Sequence, residues 1–431
     1  MKIDCDAISN VVDRLAPEMF AFIAGLVKMP SLPGNEGGVQ TVVADKLRSL
    51  GLGVETVPCD FEELKRHPAF CDDGVPLDSR HNVVARWAPS AEGAQAGANG
   101  LMLNGHVDVV SPGDEVLWSD SPWSGIVRDG KLYGRGSCDM KAGLSAGIFA
   151  IQALQVLGFR PAKGVCFHSV VGEESGGVGT LATIIKGYRA DGVIIMEPTG
   201  LDICPVQSGA LTFRLKISGK GAHACIKQFG VSAVEKFIPV LEALNRLDRE
   251  RHRGYTHPLF PDPTSVAPLS VGVVRSGDWP SSVPDELTAE GRFGIFPGES
   301  LAAARTLFVD TVMAAAARDP WLKDHPPVVE WFEGQFESGE TSPDERVVLG
   351  LKKAHVEVCG KEPLLRGVTF GSDLRLYTNH ASMPAVLYGP GSITDAHAAD
   401  EKVDLGQVAE CARVLALAIV ECCGDSTEGD G

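Results

Sequence analysis

Short β-prone apolar runs alternate with longer helical ones along most of this chain, and that rhythm constrains the fold more than any other feature. Leu101–Leu103, Val165–Val171 and Val193–Met196 read as buried strands, while Gly143–Leu157 and Gly179–Lys186 read as helices between them. Strand, helix and strand in that order build a sheet with parallel neighbours, because parallel strands need a long crossover between them. Ile8–Met29, stopped by Pro30, and Val39–Leu50, closed by Gly51, add two N-terminal helices. The expected fold class is α/β, with a mixed, mostly parallel sheet sandwiched by helices.

The texture changes near Gly209. Leu211–Ile217 alternates as a half-exposed strand should, Ser232–Leu247 and Ala302–Ala317 carry helical spacing, and Ser270–Val274 and Glu286–Phe296 read as strands. These residues predict a compact α+β insert with one open sheet face. The α/β pattern resumes after Phe336, with a helix near Glu345–Cys359 and a strand at Ala385–Tyr388. A chain of 431 residues exceeds what one core usually supports, so the expected division is 1–208 and 337–431 as one domain and 209–336 as the other. Ala88–Gly100, rich in Ala, Gly and Ser, predicts a surface loop, and Thr427–Gly431 a frayed tail.

Charge narrows the partners. Lys and Arg number 39 against 56 Asp and Glu, a formal net charge of -17, which repels phosphate backbones and anionic membrane surfaces. No nucleic acid and no membrane are expected as partners. The 11 cysteines form no CxxC pair and their odd number leaves one over in any disulfide scheme, so they read as reduced thiols. Met1–Asp6 carries Asp4 and Asp6 rather than a signal-type apolar core, and no stretch reaches membrane-spanning length; a cytoplasmic location is expected.

The chemistry-bearing residues mostly follow predicted strands directly. His106 and Asp108 follow Leu101–Leu103, Glu173 and Glu174 follow Val165–Val171, Glu197 follows Val193–Met196, and His397 lies in the loop after Ala385–Tyr388. Open α/β sheets bind ligands beyond the carboxyl ends of their strands, so one edge can collect all of them, with Asp139. Two imidazoles and three carboxylates suit zinc, with cobalt or manganese competing, and the lack of a thiolate argues against a closed structural site. A divided set, His106 with Glu197, His397 with Glu174 and Asp139 bridging, would hold two divalent metal ions with an acidified water between them. Asp108, two residues from His106, is placed to accept its second ring N–H. Glu173 points elsewhere than Glu174 and is left free as general base. Asp139, ahead of an apolar helix, can equally serve as a helix cap, and the two roles are compatible. Gly143-Leu144-Ser145-Ala146-Gly147 matches a nucleophile-elbow pattern but lies in a helical stretch, where that turn cannot form.

In order along the chain, Gly105-His106-Val107-Asp108-Val109-Val110, Gly134-Arg135-Gly136-Ser137-Cys138-Asp139-Met140-Lys141, Gly172-Glu173-Glu174, Glu197-Pro198-Thr199, Gly219-Lys220-Gly221-Ala222-His223 and Gly389-Pro390-Gly391 leading to Ala396-His397 resemble the M20 metallopeptidase family, in particular its acetylornithine deacetylase and succinyl-diaminopimelate desuccinylase branch. The resemblance runs from about Pro30 to Val403. It implies a zinc-peptidase-like catalytic domain with an inserted lid that also pairs two subunits into a homodimer. It implies metal ligation by His106, Asp139, Glu174, Glu197 and His397, catalytic roles for Asp108 and Glu173, and a cis peptide between Asp139 and Met140. His223 resembles a lid residue that reaches the substrate carbonyl, Arg292 a carboxylate-binding residue and Gly371 part of a substrate-binding loop. Ser281-Ser282-Val283-Pro284 departs from the Asn that many relatives carry before Val-Pro, which leaves substrate choice open.

The expected activity is a metal-dependent deacylase that cleaves the amide of a small N-acyl amino acid or an N-acyl or N-formyl amine through a metal-bridged hydroxide. A dipeptidase or carboxypeptidase is the alternative within hydrolases, distinguishable because a dipeptidase site must recognise a free α-amine. A non-catalytic metal-binding protein on the same fold is the alternative outside them.

Overall fold

The structure, a computed structural model, describes residues 3–89 and 99–424. The expected loop at Ala88–Gly100 falls mostly, and the expected tail at Thr427–Gly431 wholly, outside the described residues. The chain divides into two compact units. One comprises Met1–Pro205, Glu340–Arg366 and Ser372–Gly431, and the other Val206–Gly339 with the short return segment Gly367–Gly371.

In chain order the longer strands are β1 (Gly53–Pro58), β2 (His81–Trp87), β3 (Asn99–His106), β4 (Gly164–Val170), β5 (Val193–Ile195), β6 (Ile203–Gln207), β7 (Gly209–Ser218), β8 (Leu269–Ser276), β9 (Glu286–Ile295), β10 (Val328–Phe336) and β11 (Ala385–Leu387). The principal helices are α1 (Cys5–Val27), α2 (Gly37–Ser49), α3 (Ala142–Val156), α4 (Val178–Ile185), α5 (Ala233–His252), α6 (Leu301–Ala316), α7 (Arg346–Cys359), α8 (Leu374–Ala381) and α9 (Leu405–Cys423).

The larger sheet runs β1-β2-β4-β3-β5-β11-β6 and ends on the short strand Gly339–Glu340, with Leu365–Val368 also paired to β6. Its centre is parallel: β3 with β4 and β5, and β5 with β11. Its flanks are antiparallel, β1 with β2, β2 with β4, and β11 with β6. The sheet is therefore mixed rather than mostly parallel. The sequence pattern had marked only the central strands, and the β1–β2 connection carries just the short helix Phe61–Leu64, enough for antiparallel neighbours but no crossover.

Every residue of β3, β4 and β5 is buried, as both-face coverage by helices requires. Helix α3 is apolar all round and buried along almost its whole length, packing against α1 and α9. Asp4 starts α1 by accepting the Ala7 N–H, and Asp404 starts α9 by accepting the Gln407 N–H. The consequence of the parallel centre is positional: the carboxyl ends of β3, β4, β5 and β11 all leave the sheet at one edge.

The second unit has a four-stranded antiparallel sheet in the order β8-β9-β7-β10. Along β7, Leu211, Phe213, Leu215 and Ile217 are buried, and they meet Phe237, Val240 and Leu244 of α5 and Phe308, Val312 and Ala316 of α6. Phe308 stacks its ring 4.6 Å from that of Phe213 and 5.2 Å from that of Phe293. The alternate residues of β7 face the other way into ion pairs, Arg214 with Glu290 and Lys216 with Glu330, each at 2.6 Å. One face packed and one face polar is the pattern expected of an α+β insert. Among the described residues, no helix is long and apolar enough to cross a membrane. No disulfide joins any of the 11 cysteines, all of which lie among the described residues.

Candidate metal centre

His106 is the last residue of β3, Glu173 and Glu174 sit in the turn after β4, Glu197 follows β5 by two residues, and His397 lies in the loop after β11. Asp139 enters from the segment that precedes α3. It does not cap that helix, whose N-cap is Lys141 without a side-chain bond, because its carboxylate is turned between two imidazoles. Its Oδ1 is 3.1 Å from His106 Nε2 and its Oδ2 is 3.4 Å from His397 Nε2. The peptide between Asp139 and Met140 is cis.

Around this shared carboxylate the other groups divide. Glu197 Oε1 lies 3.9 Å and Glu173 Oε2 4.0 Å from His106 Nε2, whereas Glu174 Oε2 lies 3.1 Å from His397 Nε2. Two sets have donor atoms within 4.8 Å of one another, His106 with Glu173 and Glu197, and His106 with Asp139 and Glu174. His397 is half-exposed and adopts a left-handed φ of 57°, uncommon for a residue with a side chain and frequent at functional sites.

The backbone fixes the tautomer of His106. Its Nδ1 is 2.9 Å from the main-chain carbonyl of Asp108, which can only accept, so Nδ1 carries a hydrogen and Nε2, 3.1 Å from Asp139 Oδ1, is the ring nitrogen turned to the acidic cluster. The sequence assigned this contact to the Asp108 carboxylate. That carboxylate stands 3.7 Å from Nδ1 and instead accepts the Glu174 N–H on Oδ2 at 3.1 Å, so Asp108 orients both a histidine and the acidic turn.

Close approach explains how Glu197 reaches the cluster. A Cβ on Gly143, in the first turn of α3, would stand 2.0 Å from the Met196 carbonyl oxygen, and one on Gly389 would stand 2.5 Å from both the Met196 and Glu197 carbonyls. Two glycines thus pinch the strand end between a helix and the β11 loop.

The electrostatics test whether cations belong here. Burial and the neighbouring Glu197 charge hold the Glu173 carboxyl well above the usual carboxylate range, and burial with the Asp139 charge does the same to Glu197. Burial also pulls the His106 imidazole down, yet the bond to Asp139 and the charges of Glu197, Asp108 and Glu173 outweigh it and leave it well above normal. His397 is pushed up to about 10 by its bonds to Asp139 and Glu174. Glu173 Oε1 is buried without a hydrogen-bond partner. Four carboxylates, three of them buried and Glu174 partly so, and two imidazoles, with one oxygen left over, form a donor set that two divalent cations would neutralise and satisfy.

Sequence reading missed the groups behind the cluster. Arg80 is fully buried between Glu36 (2.9 Å) and Asp73 (2.7 Å), and Asp73 accepts the Ser175 hydroxyl, which braces the Glu173–Glu174 turn. Asp373 accepts the Thr180 hydroxyl at 2.5 Å, and Asn104 of β3 donates to both Thr180 (3.2 Å) and Tyr377 (2.7 Å). Only the resemblance at Gly371, two residues before Asp373, came near any of these.

His223, Arg292 and Gly371 belong to the second unit. His223 ends the two-residue strand Ala222–His223, pairs with Ser282 and accepts the Cys225 N–H on Nδ1. Arg292 donates to the Thr369 carbonyl at 2.7 Å, which places it beside the segment that contains Gly371.

Residues 102–421 match the family model described as Peptidase family M20/M25/M40. Two N-formyl-4-amino-5-aminomethyl-2-methylpyrimidine deformylases are similar: that of Halalkalibacterium halodurans is 30% identical over 75% of this chain and 79% of its own, and that of Bacillus subtilis 28% over 91% of each. A succinyl-diaminopimelate desuccinylase of Methylobacterium nodulans is 31% identical over 53% of this chain and 55% of its own. Among solved structures, human carnosine dipeptidase 1 superposes with a TM-score of 0.75 at 17% identity, covering 97% of this chain and 98% of its own, a likeness of fold. The similarity spans deformylase, desuccinylase and dipeptidase branches without singling out one.

Proposed function

The chain belongs to peptidase family M20/M25/M40 and is a metallo-hydrolase of amide or peptide bonds, and from this premise we infer that it is a deacylase that removes a small acyl group, formyl included, from an amine or amino acid. The single observation that carries the metal chemistry is the Asp139 carboxylate divided between His106 and His397. The acyl-amine assignment is supported by the two deformylases, which share more of this chain than the desuccinylase does.

In this reading His106 and Glu197 would hold one divalent ion and His397 and Glu174 the other, with Asp139 contributing to both. Zinc suits the mixed imidazole and carboxylate donors, with cobalt or manganese as competitors. When bound, the ions supply Lewis acidity at the scissile carbonyl and lower the pKa of water. Asp108 fixes the Nδ1–H tautomer of His106 and the backbone of Glu174. Glu173, with its unpartnered buried Oε1, takes a proton from the attacking water and hands it to the nitrogen of the leaving amine as the C–N bond breaks. The products are a carboxylic acid and an amine. Substrate contacts are assigned to His223, Arg292 and Gly371 on the family resemblance alone, as are a homodimer formed through the second unit and a cytoplasmic location.

Glu173→Gln is expected to abolish turnover with metal content nearly unchanged, and His106→Ala to lose metal as well. The decisive assay is a hydrolysis panel of N-formyl, N-acetyl and N-succinyl substrates beside dipeptides, with zinc or cobalt added. Cleavage of dipeptides with a free α-amine, and of no N-acyl substrate, would replace the deacylase assignment by a dipeptidase one.

A further inference from the structure

The geometry points to Glu401 as the positioning residue that fixes Asp139 between His106 and His397. Glu401 lies four residues after His397 and is buried. Its Oε1 accepts two consecutive main-chain N–H groups, Cys138 at 2.9 Å and Asp139 at 3.1 Å, and its Oε2 pairs with the buried guanidinium of Arg135. The main chain is latched at the same place: the Gly134 N–H donates to the Glu401 carbonyl at 2.9 Å, and Lys402–Asp404 pairs antiparallel with Lys131–Tyr133. One side chain therefore ties the segment carrying the shared carboxylate to the loop carrying its second imidazole.

Arg135 completes the clamp. Its guanidinium lies 5.2 Å from the Trp118 ring centroid and reaches the Ser111 carbonyl at 3.4 Å, so it is held independently of Glu401 and fixes the carboxylate by its second oxygen. An acceptor with two oxygens and a full negative charge is what this place demands: one oxygen for two N–H donors, the other for a cation. Gln offers only one acceptor oxygen, and its amide nitrogen would face Arg135 donor to donor. Neither Glu401 nor Arg135 is among the described residues whose donor atoms converge on the cluster, so the clamp acts through Asp139 and His397.

This inference rests on the reading of Asp139 and His397 as metal ligands. The test titrates metal-free protein with zinc against a competing chelator. Loss of an outer partner of a ligand typically lowers affinity ~10–100-fold, and Glu401→Gln is expected to lower the affinity for both ions by that amount, because Asp139 serves both. The double variant Glu401→Gln with Arg135→Gln, in which two amides pair again, is expected to recover most of the loss, which a merely structural defect would not do. Wild-type affinity for both ions in Glu401→Gln, or a double variant as weak as the single one, would overturn the assignment. If Glu401→Gln does not fold, Glu401→Asp, which withdraws the carboxylate by one methylene, carries the test with the same expected loss and the same overturning result. Failure of wild-type protein to bind zinc, or unchanged binding in His106→Ala, would sink the metal reading itself. Normal wild-type binding with an indifferent Glu401→Gln would sink only this inference.

Discussion

Replacing Gly143 by Ala sets two magnitudes against each other, and the structure decides the sign. In a helix interior Gly→Ala normally stabilises by ~1 kcal/mol. At Gly143 the new Cβ would lie 2.0 Å from the Met196 carbonyl oxygen and 3.0 Å from the Met196 carbonyl carbon and Cβ. Because the obstacle is backbone, relief requires α3 and the β5 end to separate by about 1 Å, and overpacking of a filled core costs ~1–3 kcal/mol or more. The cost exceeds the propensity gain, so Gly143→Ala should lower the unfolding midpoint. Gly25, inside α1 with nothing within 4 Å of its added Cβ, is the matched control, and Gly25→Ala should raise the midpoint by the equivalent of ~0.5–1 kcal/mol. Met196 precedes Glu197, so the same displacement should reach the metal site, where a ~1 Å misplacement costs on the order of 100-fold in rate. Urea unfolding of both variants, with turnover measured alongside, reads both effects. If Gly143→Ala proved as stable as Gly25→Ala and fully active, the close-packing account of Glu197 would be wrong.

Two further outcomes follow from buried groups. His168, fully buried on β4, is held down to about 3 by burial, so the unfolded chain binds a proton that the native state refuses once pH falls below about 6.5. Its contribution is complete above that pH and declines toward pH 3, with a slope of ~1.4 kcal/mol per pH unit; His168→Gln should flatten the acid limb of stability against pH, and an unchanged limb would exclude His168 as its source. Phe308, buried against Phe213 and Phe293, anchors the second unit. Phe308→Ala should destabilise that unit by ~3–5 kcal/mol, visible as early loss of hydrogen-exchange protection in β7 and β9 with β3 and β4 unaffected, and equal loss in both sheets would contradict the division into two units.

What the sequence made legible follows from how strongly each element is patterned. The central strands announce themselves as apolar runs because both their faces are covered, and β7 does so by alternation because one face is. By contrast β1 is largely exposed at the sheet edge, with an acidic residue at Glu55 and little periodicity. Helix α9 escaped for the opposite reason: Val408 to Ile419 is buried on nearly every side, so it carries no helical stripe. The acidic and imidazole cluster was legible because most of its members follow strands that could be recognised, while Asp139 stands ahead of an apolar helix. Its supports were not, because contacts such as Arg135 with Glu401 join residues 266 positions apart and leave no local trace.

The place of β11 bears on how the molecule is made. This strand lies inside the larger sheet, between β5 and β6, yet it follows β5 by some 190 residues, with the whole second unit between. At a translation speed of ~5–20 residues per second, the ribosome needs roughly 10–40 seconds after finishing β5 to deliver the missing middle. Throughout that interval the growing polypeptide carries an apolar gap with bare strand edges, a template for pairing with the wrong neighbour. Early stalling or truncation ahead of Ala385 should therefore yield aggregating fragments, whereas the insert, whose own strands arrive consecutively, can complete itself while the gap waits.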